Sequence, residues 1–395
     1  MSILFAQLAI FAGLVSFLTC LFVKKYGAKF GLIDKPGHRK IHVVPIPTGG
    51  GLGIWFGTLL PFALLTVVAL GYSPETGAVF GIPASRFPEF VATHIGGVAS
   101  RLDRLWTLLG LGSILVVLGT LDDRKGLPWQ TRLGVEFLVA IAAVACGWRA
   151  TFFVEYPWIT WIVSVFWIVG LINSFNMLDN MDALSGGVAT ICALFLAAVA
   201  FLFAPNPISG EPQYFLGGFL VALAGAILGF LALNRPPAKM FMGDGGAYFI
   251  GFLLATTTLS ITFVGESTPK TAIFVPICVL ATPLYDTISV VIVRLHHHKS
   301  PFEGDKNHYS HRLVALGLSK TQAVATIYLT TAICATGALY LYQVGFGFAL
   351  LVFVQTALIL SLVAILEFAA RKKIREMSES EKLDEKGSEK SDSKD

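Results

Sequence analysis

A bundle of membrane-spanning α-helices is the architecture this sequence predicts, and three observations carry the prediction. Hydrophobic residues make up 55% of the chain and charged residues only 14%, against about 25% charged in an ordinary soluble domain. Eleven apolar stretches recur along it, each near the ~20 residues a helix needs to cross a bilayer. The polar residues between them gather into a few dense clusters. Backbone groups in lipid must be satisfied within their own segment, so isolated apolar runs of this length read as helices. The short alternating segments of a barrel do not occur.

In chain order the stretches are 3–23, 49–71, 105–121, 131–148, 157–175, 183–204, 214–233, 245–264, 271–293, 321–343 and 346–370. The first has no basic region before it and no small-residue cleavage site after it, and is expected to be a retained span. The longest connection inside the bundle, Tyr72 to Arg104, contains "RFPEFVATHIGGVASRL", expected as a helix lying in the membrane interface. From Arg371 the chain turns into "RKKIREMSESEKLDEKGSEKSDSKD", expected as a disordered charged tail that leaves 1–370 as one membrane domain. Cys20, Cys146, Cys192, Cys278 and Cys334 all fall in apolar stretches without metal-ligand spacing and read as small buried apolar residues.

Basic residues set the orientation. If all eleven stretches span, 24 of the 29 lysines and arginines lie on the side that also holds the C-terminus. That side is then cytoplasmic and the N-terminus is outside. The net charge of +4 is accordingly a topology signal and not a nucleic-acid signal, and the basic rim favours anionic lipid head groups.

The same side carries five polar clusters: "GLIDKPGHRKIHVVPIPTGGG", "LDDRKGLP", "NSFNMLDNMDALSGG", "NRPPAKMFMGDGG" and "SPFEGDKNHYSHRL". Taken singly, the acid pair reads as a solvated loop, "GDGG" as a turn, "PIPTGGG" as a flexible joint and His296 to His298 as an interface anchor. Their coincidence on one face points to a single site. Asp122 and Asp123 are adjacent at a helix end, Asp179 and Asp182 share a helix face, and Asp244 sits between glycines. Five carboxylates gathered together repel and require positive charge among them. A hard cation such as Mg²⁺ takes oxygen ligands and shares them with substrate phosphates, with Mn²⁺ the alternative. Asn173 and Asn176 can offer side-chain oxygens to the same side. Gly243, Gly245 and Gly246 would let backbone N–H groups approach an anion at a helix start. His308, His311 and Arg312, with Arg39, Lys40 and His42 of the first loop, suit a pyrophosphate. Zinc is poorly served, because the neighbours are oxygen donors and no cysteine is near.

In order and spacing these clusters resemble the polyprenyl-phosphate N-acetylhexosamine-1-phosphate transferases, most closely the bacterial branch that starts O-antigen, common-antigen or teichoic acid assembly. The resemblance covers about residues 1–370. It implies attack of undecaprenyl phosphate on the β-phosphorus of a UDP-N-acetylhexosamine, with Mg²⁺, at the cytoplasmic face of the inner membrane. It also implies roles: Asp244 and Asn176 as metal ligands, Asp179 and Asp182 lining the site, and Asp122 and Asp123 near the lipid phosphate. His308, His311 and Arg312 would contact the pyrophosphate, and Lys40 and His42 would lie near the lipid phosphate. The chain departs from the family pattern in four places: Asp179-Asn180-Met181-Asp182-Ala183 lacks the usual glycines, Thr48 replaces an arginine, Tyr309-Ser310 interrupts the histidines, and the loop after the second stretch is longer than expected.

Two other readings stand beside this one. A phospho-N-acetylmuramoyl-pentapeptide transferase would carry a histidine triplet after a proline in its last cytoplasmic loop, whereas His296 to His298 lie upstream of that position. A secondary transporter would also place acids and glycine breaks in the membrane, but near its midplane and in inverted halves. UDP-N-acetylglucosamine is the donor the resemblance implies for this branch, and a homodimer is compatible with the sequence.

Overall fold

The computed structural model describes residues 2–34, 45–73, 75–83, 86–150, 156–204, 210–261, 270–300 and 307–368. The basic loop residues Arg39, Lys40 and His42, and the charged tail from 371 onward, lie outside the described residues.

Helix α1 spans Ser2–Tyr26, and a 3-10 turn over Gly27–Phe30 leads into a two-residue antiparallel pair, β1 (Ile33–Asp34) with β2 (Ile46–Pro47), Ile33 facing Pro47. There follow α2 (Gly50–Leu70), α3 (Glu89–Ala99), α4 (Leu102–Lys125), α5 (Trp129–Ala145), α6 (Pro157–Leu178), α7 (Leu184–Leu202), α8 (Tyr214–Asn234) and α9 (Asp244–Ile261). A 3-10 turn at Lys270–Phe274 precedes α10 (Val275–Val279) and α11 (Ala281–His296), then come α12 (Tyr309–Ala315), α13 (Lys320–Ala338) and α14 (Phe346–Phe368). The boundaries follow local chemistry. Gly126, at φ +62°, stops α4, Pro157 opens α6, and Ser319 with Gln322 forms a capping box on α13.

Helical backbone occupies each of the eleven expected stretches, but fewer qualify as crossings. Among the described residues seven helices are long and apolar enough, namely α1 with its turn, α2, α4, α6, α7, α8 and α14; an eighth crossing exists if the pair bent by 67° at Leu280 counts as one. The bend has a cause. Pro283 has no N–H to continue the ladder, and the Val279 carbonyl accepts instead from the Cys192 thiol at 3.3 Å. Of the rest, α5 has only 17 residues, α9 opens on an aspartate and carries Thr256, Thr257 and Thr258, and α13 is rich in threonine.

Helix α9 is the centre of the bundle. Every residue from Gly245 to Ile261 is buried, and α2, α4, α6 and α7 pack around it. Its threonine hydroxyls bond back to carbonyls of their own helix, Thr257 to Leu253 at 2.6 Å, so no hydroxyl in that run competes with packing. Helices α1 and α14 are peripheral, their apolar faces turned outward as lipid-facing helices require.

Two expectations are corrected. "PIPTGGG" is no flexible joint: Gly50 and Gly51 begin α2 and donate to the carbonyls of Phe241 (2.9 Å) and Met242 (2.8 Å). Among the cysteines, Cys146 is exposed, because it caps the C-terminal end of the short α5. The segment expected to lie in the membrane interface does contain a helix, α3.

Candidate active site

The acids come together where helices end. Asp122 and Asp123 lie in the last turn of α4, Asn176 in the last turn of α6, and Asp244 at the first position of α9. Close approach of α4 and α9 makes this meeting geometrically feasible. A Cβ on Gly119 would stand 2.2 Å from the Gly245 nitrogen, so only glycine lets the two backbones touch. Gly243 adopts φ +77°, a conformation that turns the chain into α9 and suits glycine.

Each acid then has its own set of partners. Asp122 is buried, accepting from Leu127 N–H at 2.6 Å and from the Arg132 guanidinium at 2.7 Å. The same Arg132 nitrogen lies 4.0 Å from the Asp244 carboxylate. Asp123 accepts from the Asp244 N–H at 3.2 Å, so it caps the positive end of α9 from a neighbouring helix. Asn176 donates to Asp244 at 2.7 Å. Asp179, directly after α6, has its carboxyl pushed up to about 7 by burial, with Asp123 and then Asp182 adding repulsion. Asp182 holds the backbone of the Asn234–Gly243 connection, accepting from Ala238 N–H at 2.9 Å. Asn234 closes that connection by accepting from Ala183 N–H at 2.8 Å and donating to Met240 O at 2.9 Å.

The histidine-bearing segment docks on the same turn. Ser310 of α12 donates to Asn180, and Tyr328 of α13 donates to the Ala183 carbonyl. His308 caps α12, and its Nδ1 pairs with Asp286 of α11 at 3.0 Å. Asp286, fully buried, also accepts from Tyr309 N–H at 2.6 Å. The rings of His308 and His311 stand 6.3 Å apart.

Two residues turn away from the role expected of them. Asn173 donates to Glu136 of α5 and to Val169 O, so its amide ties α6 to α5. Arg312 is 5% exposed and gives its guanidinium to the Asn307 carbonyl, to Ser289 Oγ at 2.8 Å and to Glu367 of α14 at 2.7 Å. A carboxylate buried in an apolar helix requires a cation, and Glu367 takes this one.

Sequence reasoning missed Arg132, Glu136, Asp286 and Glu367. Each was legible as an ionisable residue inside an apolar stretch or at its edge, which in a membrane helix marks a paired or functional group.

The donor set bears on a cation. Among the described residues no three carboxylate, imidazole or thiolate side chains close on one point. Asp244 offers its carboxylate, and the adjacent Asn176, which donates to it through Nδ2, carries a carboxamide oxygen as well; so small a donor set suits a cation completed by water and substrate phosphate better than an all-protein cage.

Fold and site define a class: a polytopic helical membrane protein whose acids converge at one end of the bundle. The profile described as "Glycosyl transferase family 4" matches residues 105–262, which run from α4 to the end of α9 and so contain the acid cluster. Over 365 residues, 89% of this chain and 90% of the relative, the sequence is 30% identical to the "Probable undecaprenyl-phosphate N-acetylglucosaminyl 1-phosphate transferase" of Bacillus subtilis. It is 30% identical over 80% of the chain and 78% of the relative to the "Undecaprenyl-phosphate alpha-N-acetylglucosaminyl 1-phosphate transferase" of Yersinia pestis. Identity is 27% over 84% of the chain and 81% of the relative to the "Decaprenyl-phosphate N-acetylglucosaminephosphotransferase" of Mycolicibacterium smegmatis. The chain belongs to glycosyl transferase family 4, in agreement with the family resemblance of its motifs.

Proposed function

We propose that this protein transfers N-acetylglucosamine 1-phosphate from UDP-N-acetylglucosamine to undecaprenyl phosphate, the first step of a cell-envelope polysaccharide. A lipid phosphate oxygen bonds to the β-phosphorus, the bond from that phosphorus to the bridging oxygen breaks, and UMP departs. The products are UMP and undecaprenyl-pyrophosphoryl N-acetylglucosamine. The observation that carries this reading is the meeting of Asp123, Asn176 and Asp244 at the glycine-flanked start of α9, in a chain whose relatives are named for this transfer.

The residues divide the work. Asp244 and Asn176 would hold Mg²⁺, which when bound neutralises the diphosphate and polarises it for attack. Arg132, anchored by Asp122, presents its guanidinium to phosphate beside Asp244. Asp123 lines the lipid phosphate side, and Asp179 and Asp182 shape the nucleotide side. His308, oriented through Nδ1 by Asp286, leaves its Nε2 edge for the sugar nucleotide, with His311 beside it. Lys40 and His42 supply positive charge near the lipid phosphate. No covalent enzyme intermediate is needed, since phosphoryl transfer proceeds by positioning and charge neutralisation. All eleven apolar stretches cross or enter the inner membrane, with the N-terminus outside and the C-terminus and site on the cytoplasmic side. That placement lets the prenyl tail stay in lipid while the nucleotide arrives from water.

The test uses purified protein in detergent with Mg²⁺, undecaprenyl phosphate and a panel of radiolabelled UDP-sugars. Release of UMP and a labelled lipid from UDP-N-acetylglucosamine is the expected result. Labelling only from UDP-MurNAc-pentapeptide would replace the sugar assignment, and no labelling from any UDP-sugar would end the transferase reading.

A further inference from the structure

The terminal helix α14 lies beyond the segment matched by the family profile, yet it is tied to the histidine-bearing α12. Arg312 and Glu367 are buried to 5% and 6% exposure and meet at 2.7 Å. Glu367 also accepts from Tyr285 OH of α11 at 3.0 Å, and the Tyr285 ring lies 5.8 Å from the Arg312 guanidinium. Arg312 reaches further to Ser289 of α11 and to the Asn307 carbonyl, next to His308. One guanidinium thus joins α11, α12 and α14.

Packing between α11 and α14 does not do this work by itself. A largely apolar pocket of about 510 Å³ lies between them, lined by Leu284, Ile288, Phe353 and Leu360 and also by Arg312 and Glu367. Elsewhere α14 is fastened by Phe353 against Phe274, with ring centroids 5.3 Å apart, and by Thr356 near Cys278. A paired buried charge is lost at a heavy cost when one partner goes, because the other remains desolvated. The position of α12 therefore depends on a carboxylate 55 residues further along the chain, as their numbers give.

We infer that Glu367 and Arg312 are positioning residues: through this pair α14 sets the placement of α12, and with it the approach of His308 and His311 to the sugar nucleotide. This rests on the transferase reading for the role of the histidines. Other ties also hold α12: Ser310 docks on Asn180 and Asp286 holds His308, so loss of Glu367 shifts α12 about these contacts and leaves the acid cluster in place.

The experiment compares wild type, Glu367→Gln, Tyr285→Phe, Arg312→Glu and the charge-exchanged double variant Arg312→Glu/Glu367→Arg, full-length in detergent. Thermal midpoints, and KM and kcat for each substrate, are measured for every protein. Glu367→Gln is expected to lower kcat/KM for the nucleotide sugar by about 10- to 100-fold, the usual penalty for removing a group that orients a contacting residue. KM for undecaprenyl phosphate stays within about twofold, since the lipid-side acids are untouched. Tyr285→Phe, which keeps both charges, shows the same split at smaller amplitude, and the double variant regains at least about tenfold over Arg312→Glu. Equal losses toward both substrates, or a double variant no better than Arg312→Glu, would assign the pair to folding alone and overturn the inference. Should Glu367→Gln fail to fold, the Tyr285→Phe split decides by itself. A wild type that transfers nothing refutes the transferase reading instead, so the two failures are distinguishable.

Discussion

Replacing Gly119 by alanine tests whether the acid cluster is built by backbone contact. The new Cβ would lie 2.2 Å from the Gly245 nitrogen and 2.4 Å from its Cα, where ordinary contacts begin near 3.4 Å. Both obstructing atoms are backbone, so no side chain can swing away and α4 must part from α9 by about 1.2 Å. Overpacking of this kind costs ~1–3 kcal/mol. The site suffers more than the fold. Asp122 and Asp123 follow Gly119 by one turn, and Asp244 adjoins Gly245, so the displacement opens the 3.2 Å contact between Asp123 and Asp244 N–H. A misplacement near 1 Å at a reacting centre lowers turnover by about 100-fold. The assay is transfer from UDP-N-acetylglucosamine alongside thermal unfolding, with Gly110→Ala as the control. Gly110 lies in the same helix, and a Cβ there meets nothing within 4 Å, so its replacement leaves turnover unchanged and raises stability by up to ~1 kcal/mol through helix propensity. A Gly119→Ala protein that matches wild type in both readouts would refute the idea that this contact sets the spacing of the acids.

Other perturbations separate the acids by role. Asp244→Asn is expected to lower turnover at least ~100-fold by weakening charge neutralisation at the diphosphate, with circular dichroism unchanged; wild-type rates would remove the metal assignment. Asp286→Asn keeps an acceptor for Tyr309 N–H and loses the charged partner of His308, a loss of about 1.5–3 kcal/mol read as a lowered thermal midpoint, and an unchanged midpoint would show the pair to be dispensable. Asp179 gives a pH signature. Its carboxyl is raised to about 7 in the folded protein, so the native state binds an extra proton between about pH 4 and pH 7 and stability falls as pH rises through that window. Asp179→Asn in EDTA should therefore raise the thermal midpoint at pH 8 and change it little at pH 4, and a gain confined to pH 4 would invert the argument.

The helices were legible because apolar length is a one-dimensional signal, and so was the meeting of Asp122, Asp123, Asn176 and Asp244, since each sits where an apolar stretch ends. The number of crossings was less legible. Composition alone cannot distinguish a helix buried on all sides by protein, such as α9, from one bathed in lipid, and it does not reveal that Pro283 bends the chain at Leu280. Side-chain partners were the least legible. Arg312 and Asn173 have the right residue types for a phosphate site, but whether a guanidinium meets substrate or Glu367 depends on a helix far along the chain. Asp286 stood out as a lone acid inside an apolar stretch, but its partner His308 lies on another element and could not be read from the sequence.

The partners also separate the acids that are already compensated from those that are not. Asp122 has Arg132 and a backbone N–H, Asp182 has the Ala238 N–H, Asp286 has His308, Glu136 has the Asn173 amide, and Glu367 has Arg312. Each of these acids has a partner, and together they hold the scaffold in register. Asp123, Asp179 and Asp244 differ. Dipoles from the Asp244 N–H and the Asn176 amide reach two of them, and the guanidinium of Arg132, already bonded to Asp122, stands 4.0 Å from Asp244. Gathering these carboxylates with so little positive charge is unfavourable in the absence of a further cation, because like charges repel. The fold nevertheless enforces it through glycine contacts that exclude any side chain between α4 and α9. Charge deficit and steric enforcement coincide at one point of the bundle. Under the proposed function, that point is where a divalent cation carrying a diphosphate would gain the most, and where removing one carboxylate should reduce the binding of both together.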